Sequence, residues 1–107
     1  MELTYYKAIN FDLDTKELGK HYKRYQQAYY DLMAFFKKNG FHHRQGSGYV
    51  SERKLTSADI IDLIGRLRES FAWTSTCIKR IDVTNIGAQY DLTVLFSSSD
   101  ELDEFEI

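Results

Sequence analysis

The sequence has no proline, a single cysteine and no long apolar run. With no Pro-rich or low-complexity stretch and no repeat, nothing marks a linker, and 107 residues suit one domain. The lone Cys77 excludes an internal disulfide and a cysteine-based zinc site. No segment is apolar for long enough to span a bilayer. The opening residues Met1-Glu-Leu-Thr-Tyr-Tyr lack the basic-then-apolar pattern of a secretion signal, so a cytoplasmic address is expected.

What is present is an ordinary globular composition, 43% hydrophobic and 28% charged, enough to bury a core without staples. The net charge of −2 argues against a bulk polyanion binder. Its distribution is uneven. Acidic residues crowd Asp100-Glu-Leu-Asp-Glu-Phe-Glu106, which suggests a domain over 1–97 and an acidic tail over 98–107. Basic clusters stand at Lys20–Arg24, Lys37–Arg44, Arg53-Lys54 and Lys79-Arg80. They form either a solvated face or a phosphate-contacting surface.

Residues 4–13 carry the β-branched and aromatic content of a strand. Tyr5, Ile9, Phe11 and Leu13 fall on one face; Tyr6, Ala8, Asn10 and Asp12 fall on the other. Asp14 offers a helix cap, with Glu17 at capping-box spacing. Leu18, Tyr22, Tyr25, Tyr29, Leu32, Met33 and Phe36 continue at helical spacing, which predicts one long helix over 16–39 ended by Gly40. Phe41–Arg44 and Tyr49–Ser51 form a hairpin around Gln45-Gly-Ser-Gly48. Thr56 or Ser57 caps a second helix with Ile60, Ile64, Leu67 and Phe71 on its apolar stripe. Cys77–Val83 is a further strand, Asn85-Ile-Gly87 a turn, and Tyr90–Phe96 a surplus strand. The order is α+β and ferredoxin-like, β-α-β-β-α-β with an extra C-terminal strand, two helices covering one face of an antiparallel sheet. The open face suits a second subunit, so a homodimer is expected.

Asp12 is the most telling polar residue, because a carboxylate in a strand needs a reason. Facing its own copy across a two-fold axis, it could hold a divalent cation such as Mg2+ or Mn2+, or share a proton. Either arrangement suits phosphodiester cleavage. The alternative is that Asp12 merely begins the turn. His42 and His43 are proton-transfer candidates, but alternation lets only one share a face with Asp12. Gln45-Gly-Ser-Gly48 could present backbone N–H groups to a phosphate, or be an ordinary turn. Tyr22, Tyr25 and Tyr29 read as core; Tyr30, Tyr49 and Tyr90 are freer to stack on a base. Cys77 reads as a small core residue.

Phe11-Asp12-Leu13, Tyr29-Tyr30-Asp31-Leu32, Asn39-Gly40-Phe41 and Gln45-Gly46-Ser47-Gly48-Tyr49-Val50, in that order and spacing, resemble the virulence-associated protein D (VapD) family over about residues 7–96. The resemblance implies a homodimer related in fold to the small CRISPR-associated nucleases, acting as the endoribonuclease toxin of a toxin–antitoxin pair. Its partners would be RNA and a small antitoxin protein. The family's catalytic aspartate falls on Asp12 and its turn serine on Ser47. Some relatives carry an acid in the fourth strand; here Arg80 takes that place, with Asp82 two residues on. Lys7, Asn10, Arg44, Gln45 and Arg80 are the expected substrate contacts. The competing expectation is a non-catalytic dimeric module of the same fold that binds RNA or protein.

Overall fold

A computed structural model describes residues 3–44 and 48–87, together with Leu92 and Leu95. Strand β1 (Tyr6–Leu13) is followed by a one-turn helix α1 (Thr15–Leu18) and a longer α2 (Gln26–Lys38). The hairpin strands β2 (Phe41–His43) and β3 (Gly48–Ser51) come next. Helix α3 (Ser57–Ser70), the short α4 (Thr74–Cys77) and β4 (Ile78–Ile86) complete the described elements. The four strands form one sheet in the order β2-β3-β1-β4, with every neighbouring pair antiparallel. This is the α+β arrangement expected of a ferredoxin-like fold.

Alternation along β1 decides which face is covered. Ile9, Phe11 and Leu13 are buried, while Asn10 and Asp12 are exposed. The buried set packs against Leu32 and Phe36 of α2 and Leu63 and Leu67 of α3. At its centre three rings stack: Phe36 lies 4.5 Å from Tyr49 and 6.0 Å from Phe11, and Phe11 lies 5.9 Å from Tyr49. Such offset stacks contribute about 0.5–1.5 kcal/mol per pair beyond the area they bury. Tyr49 is therefore a core residue, not a base-stacking one. Cys77 is fully buried and bears out its reading as a core residue.

Three local expectations are corrected. The single helix over 16–39 is two helices, with residues 19–25 turning between them. The reason lies in Tyr22, whose hydroxyl donates to Asp31 Oδ2 at 2.8 Å and whose ring meets Trp73 edge-on. In one helix, residues nine apart would sit on opposite sides and about 13 Å apart along the axis, so this bond requires the break. The capping box at Asp14 is half made. Its side chain accepts from the Lys16 and Glu17 amides, but its own amide donates to the Cys77 carbonyl and Glu17 pairs with Lys20. Finally, β4 starts at Ile78 and continues through Asn85 to Ile86, because β1 pairs with it residue for residue up to Tyr6↔Ile86.

The other caps follow the sequence. Gly40 takes φ +82°, the left-handed conformation that ends α2. Thr56 and Asp59 form a full capping box at the start of α3. Apart from Leu92 and Leu95, the surplus strand expected at Tyr90–Phe96 lies outside the described residues, as does the tail 98–107. The Leu95 amide donates to the Leu92 carbonyl at 3.0 Å.

Candidate functional site

The face of the sheet turned away from the helices is read by following the ladder. Residues directly opposite one another share a face, with Cβ atoms about 4.5–5.5 Å apart. Asp12 stands opposite Arg80, Asn10 opposite both Asp82 on β4 and Gly48 on β3, and Ala8 opposite Val50 and Thr84. His42 is opposite Val50 and so shares this face, whereas His43 stacks toward Tyr49 on the core side, ring centroids 5.1 Å apart. Only one histidine shares the Asp12 face, as alternation requires, and His42 sits toward Ala8 rather than Asp12.

Asp12, Asn10, Phe11, Arg80 and Asp82 line a shallow depression of about 200 Å³. The Arg80 Nε lies 3.4 Å from Asp82 Oδ2, on the same strand face. Between Asp12 and Leu13 the ladder slips by one residue. A bulge of this kind bends the strand and re-aims the side chains beside it. A second depression of about 610 Å³ is lined by Ala8, Asn10, Arg44, Gly48, Tyr49 and Val50. Asn10 belongs to both, so the two form one path across the sheet. The Arg44 amide donates to the Gly48 carbonyl at 2.8 Å. From Arg44 through Gly48 and Asn10 to Asp82 the path crosses four strands, about 14 Å at a strand spacing of about 4.8 Å.

Three expected contacts, Asn10, Arg44 and Arg80, thus meet on the face that carries Asp12. Gln45 and Ser47 lie outside the described residues. Lys7 is a correction. It is 3% exposed and lies on the helix side with Ile9 and Phe11. Its ammonium donates to Asn85 Oδ1 and sits 5.4 Å from the Tyr5 ring, and its amide donates to Ser51 Oγ at 2.9 Å. A phosphate on the Asp12 face cannot reach it. Its odd position in the β1 alternation was the signal that could have shown this. The ladder also brings Ala8, Gly48 and Val50 onto this path.

The Asp12 carboxylate reaches the helix layer electrically as well. The Tyr29 hydroxyl is held above its ordinary pKa by burial first, then by Tyr25 and by Asp12. As a cation site, one copy of the chain is a poor fit. Mg2+ needs only one or two carboxylates beside a substrate's phosphates, so donor number alone does not decide. Charge does. The ladder partner of Asp12 is a guanidinium, and Asp82 already turns a carboxylate oxygen to that guanidinium. Among the described residues no three His, Cys, Asp or Glu side chains gather to hold a metal.

Comparison with known proteins follows the same residues. No family model matches the chain. Over 87 residues it is 31% identical to Endoribonuclease VapD 2 of Riemerella anatipestifer, a match that covers 79% of this chain and 93% of that protein. The chain belongs to the VapD family. Phe11-Asp12-Leu13, Asn39-Gly40-Phe41 and Gly48-Tyr49-Val50 fall at the end of β1, at the α2–β2 junction and in β3. No helix among the described residues is long and apolar enough to cross a membrane.

Proposed function

We propose that this chain is an endoribonuclease that cuts single-stranded RNA. It would act as a homodimer, with Asp12 of each copy at the cleft, and as the toxin of a pair whose antitoxin is a small protein. The observation that carries the reading is the placement of Asp12. In a family with a relative named as an endoribonuclease, this carboxylate is exposed at the end of β1, beside Asn10 and opposite Arg80. Arg44 lies at one end of the path about 14 Å wide and Arg80 two residues along β4 from its Asp82 end, which suits a strand laid obliquely across the sheet with phosphates at both arginines.

The test is incubation of purified wild type and Asp12→Ala with a mixed-sequence RNA, with and without chelator. Wild type cuts under at least one condition, and Asp12→Ala loses about 100-fold or more in rate while keeping the same oligomeric state. Full activity in Asp12→Ala removes the site assignment. The non-catalytic alternative draws on one observation: along the two depressions the charges of Asp12, Asp82, Arg80 and Arg44 cancel. RNA left intact by wild type under every metal condition, yet retained in a binding assay, selects that alternative.

A further inference from the structure

We infer that the cation of this site is Arg80 rather than a metal ion, and that cleavage proceeds by attack of the ribose 2′-hydroxyl, with Asp12 as base, Arg80 on the phosphate and Asp82 holding Arg80. This rests on the reading that the chain cuts RNA, and it adds the reaction class and two residue roles. The ladder fixes the geometry. Asp12 and Arg80 are directly opposite on the open face, within about 4.5–5.5 Å at their Cβ atoms. Asp82 lies diagonal to Asp12 and opposite Asn10. The depression these residues line, about 200 Å³, has room for a phosphate group beside Arg80.

Each side chain then has a definite task. The Arg80 Nε–H faces Asp82 Oδ2, which leaves both Nη groups to donate to phosphate oxygens. The guanidinium meets two oxygens at once, as a fork suited to the growing charge of a five-coordinate phosphorus. Asn10 adds amide donors at the same depression. Asp12 has no ion pair or hydrogen bond among the described residues, so it is available as a base. A divalent ion beside it would meet the arginine's repulsion. The same base would serve a water, but a water must also be held in line with the phosphorus. The 2′-hydroxyl of RNA is already tethered next to its phosphorus, and tethering replaces much of the activation a free nucleophile needs.

The step balances as follows. The 2′-hydroxyl gives its proton to the Asp12 carboxylate, and the 2′-oxygen forms a bond to phosphorus. The bond from phosphorus to the 5′-oxygen of the next nucleotide breaks, and that oxygen takes a proton from solvent water. Asp12 returns its proton to solvent. The products are a 2′,3′-cyclic phosphate and a 5′-hydroxyl end, with no oxidant or co-reactant.

The experiment reads product ends. A defined oligoribonucleotide is cut by wild type in excess chelator and in Mg2+, and the ends are resolved by mass. The expected result is equal cutting in both, cyclic-phosphate and 5′-hydroxyl ends, and no cutting at a single 2′-deoxy substitution. Arg80→Ala loses about 100-fold in kcat and Arg80→Lys recovers part of it. Because Arg80 is 74% exposed at its side chain, its thermal midpoint should not move. Asp82→Asn lowers kcat with KM and thermal midpoint unchanged, which a merely structural role would not give. Cutting only with metal, leaving 5′-phosphate ends, overturns the inference while the ribonuclease reading stands. Arg80→Ala cutting at the wild-type rate also overturns it. No cutting of RNA by wild type under any condition overturns both.

Discussion

The two sides of strand β1 share eight residues of backbone and almost nothing else. Toward the helices, Lys7, Ile9, Phe11 and Leu13 are buried, and the Lys7 amide and ammonium both donate hydrogen bonds. Toward the open face, Asn10 and Asp12 are exposed and the depressions beside them are shallow. One side holds the fold and the other presents chemistry. A period of two separates them, so neighbouring substitutions should separate stability from activity.

The largest break is on the core side. Phe36 is fully buried, stacked on Tyr49 and Phe11 and edge-on to Phe41. Phe36→Ala should cost about 3–5 kcal/mol of unfolding free energy, read from a denaturant midpoint, against less than about 0.5 kcal/mol for Asp12→Asn. Equal costs for the two would mean that β1 is not divided as its burial pattern says.

Alkali probes the same side through its phenols. Burial pushes the Tyr49 hydroxyl up to about 12, and burial together with the Asp31 hydrogen bond pushes Tyr22 up to about 12. In the unfolded chain both ionise near 10. Stability is therefore full below pH 10 and falls as pH rises toward 12, because the unfolded state loses its protons first. Ultraviolet titration should show Tyr22 and Tyr49 among the late-ionising tyrosines; Tyr22→Phe and Tyr49→Phe should each remove one late-ionising group.

How much of this was legible depends on whether the deciding contact was local. The face of Asp12, the Gly40 stop and the Thr56 cap follow from residues within a few positions of each other. The break between α1 and α2 does not. Tyr22, Tyr25 and Tyr29 keep helical spacing across it, and only the bond to Asp31 and the ring of Trp73 reveal that Tyr22 turns back. Likewise Asn85 and Gly87 carry turn chemistry, yet the pairing of Lys7 with Asn85 draws Asn85 into β4. Asn10 and Asp12 are read from alternation in β1, whereas Arg80 and Asp82 are set beside them only by the family resemblance. That Arg80 lies opposite Asp12 is a matter of register between residues 68 positions apart, which no local pattern encodes.

Lys7 and Arg44 sharpen the comparison, since composition alone treats them alike. Lys7→Ala should cost about 1–2 kcal/mol through its lost hydrogen bond and buried stem, and leave RNA affinity unchanged. Arg44→Ala, on the exposed path, should leave the denaturant midpoint within about 0.5 kcal/mol and weaken RNA binding with a shallower salt dependence. Fluorescence anisotropy at two salt concentrations checks both. A loss of RNA affinity in Lys7→Ala at unchanged stability would return that lysine to the substrate surface.

The smallest effect lies away from both faces, at the start of α3. Thr56 Oγ1 accepts from the Asp59 amide at 3.1 Å, and Asp59 Oδ2 accepts from the Thr56 amide at 2.9 Å. Thr56→Ala should cost about 1 kcal/mol at neutral pH. The bonds to Thr56 hold the Asp59 carboxyl below its ordinary value of 3.8. A depressed carboxyl contributes stability above its unfolded value and loses it as pH falls through the folded one. The gap between wild type and Asp59→Asn should therefore be present at pH 7 and close as the pH drops below about 4. A gap that stays constant down to pH 3 would mean that the charge on Asp59 adds nothing to the cap, and that Thr56 alone holds the helix end. Cleavage should be indifferent to either substitution, because neither residue lines the path across the open face.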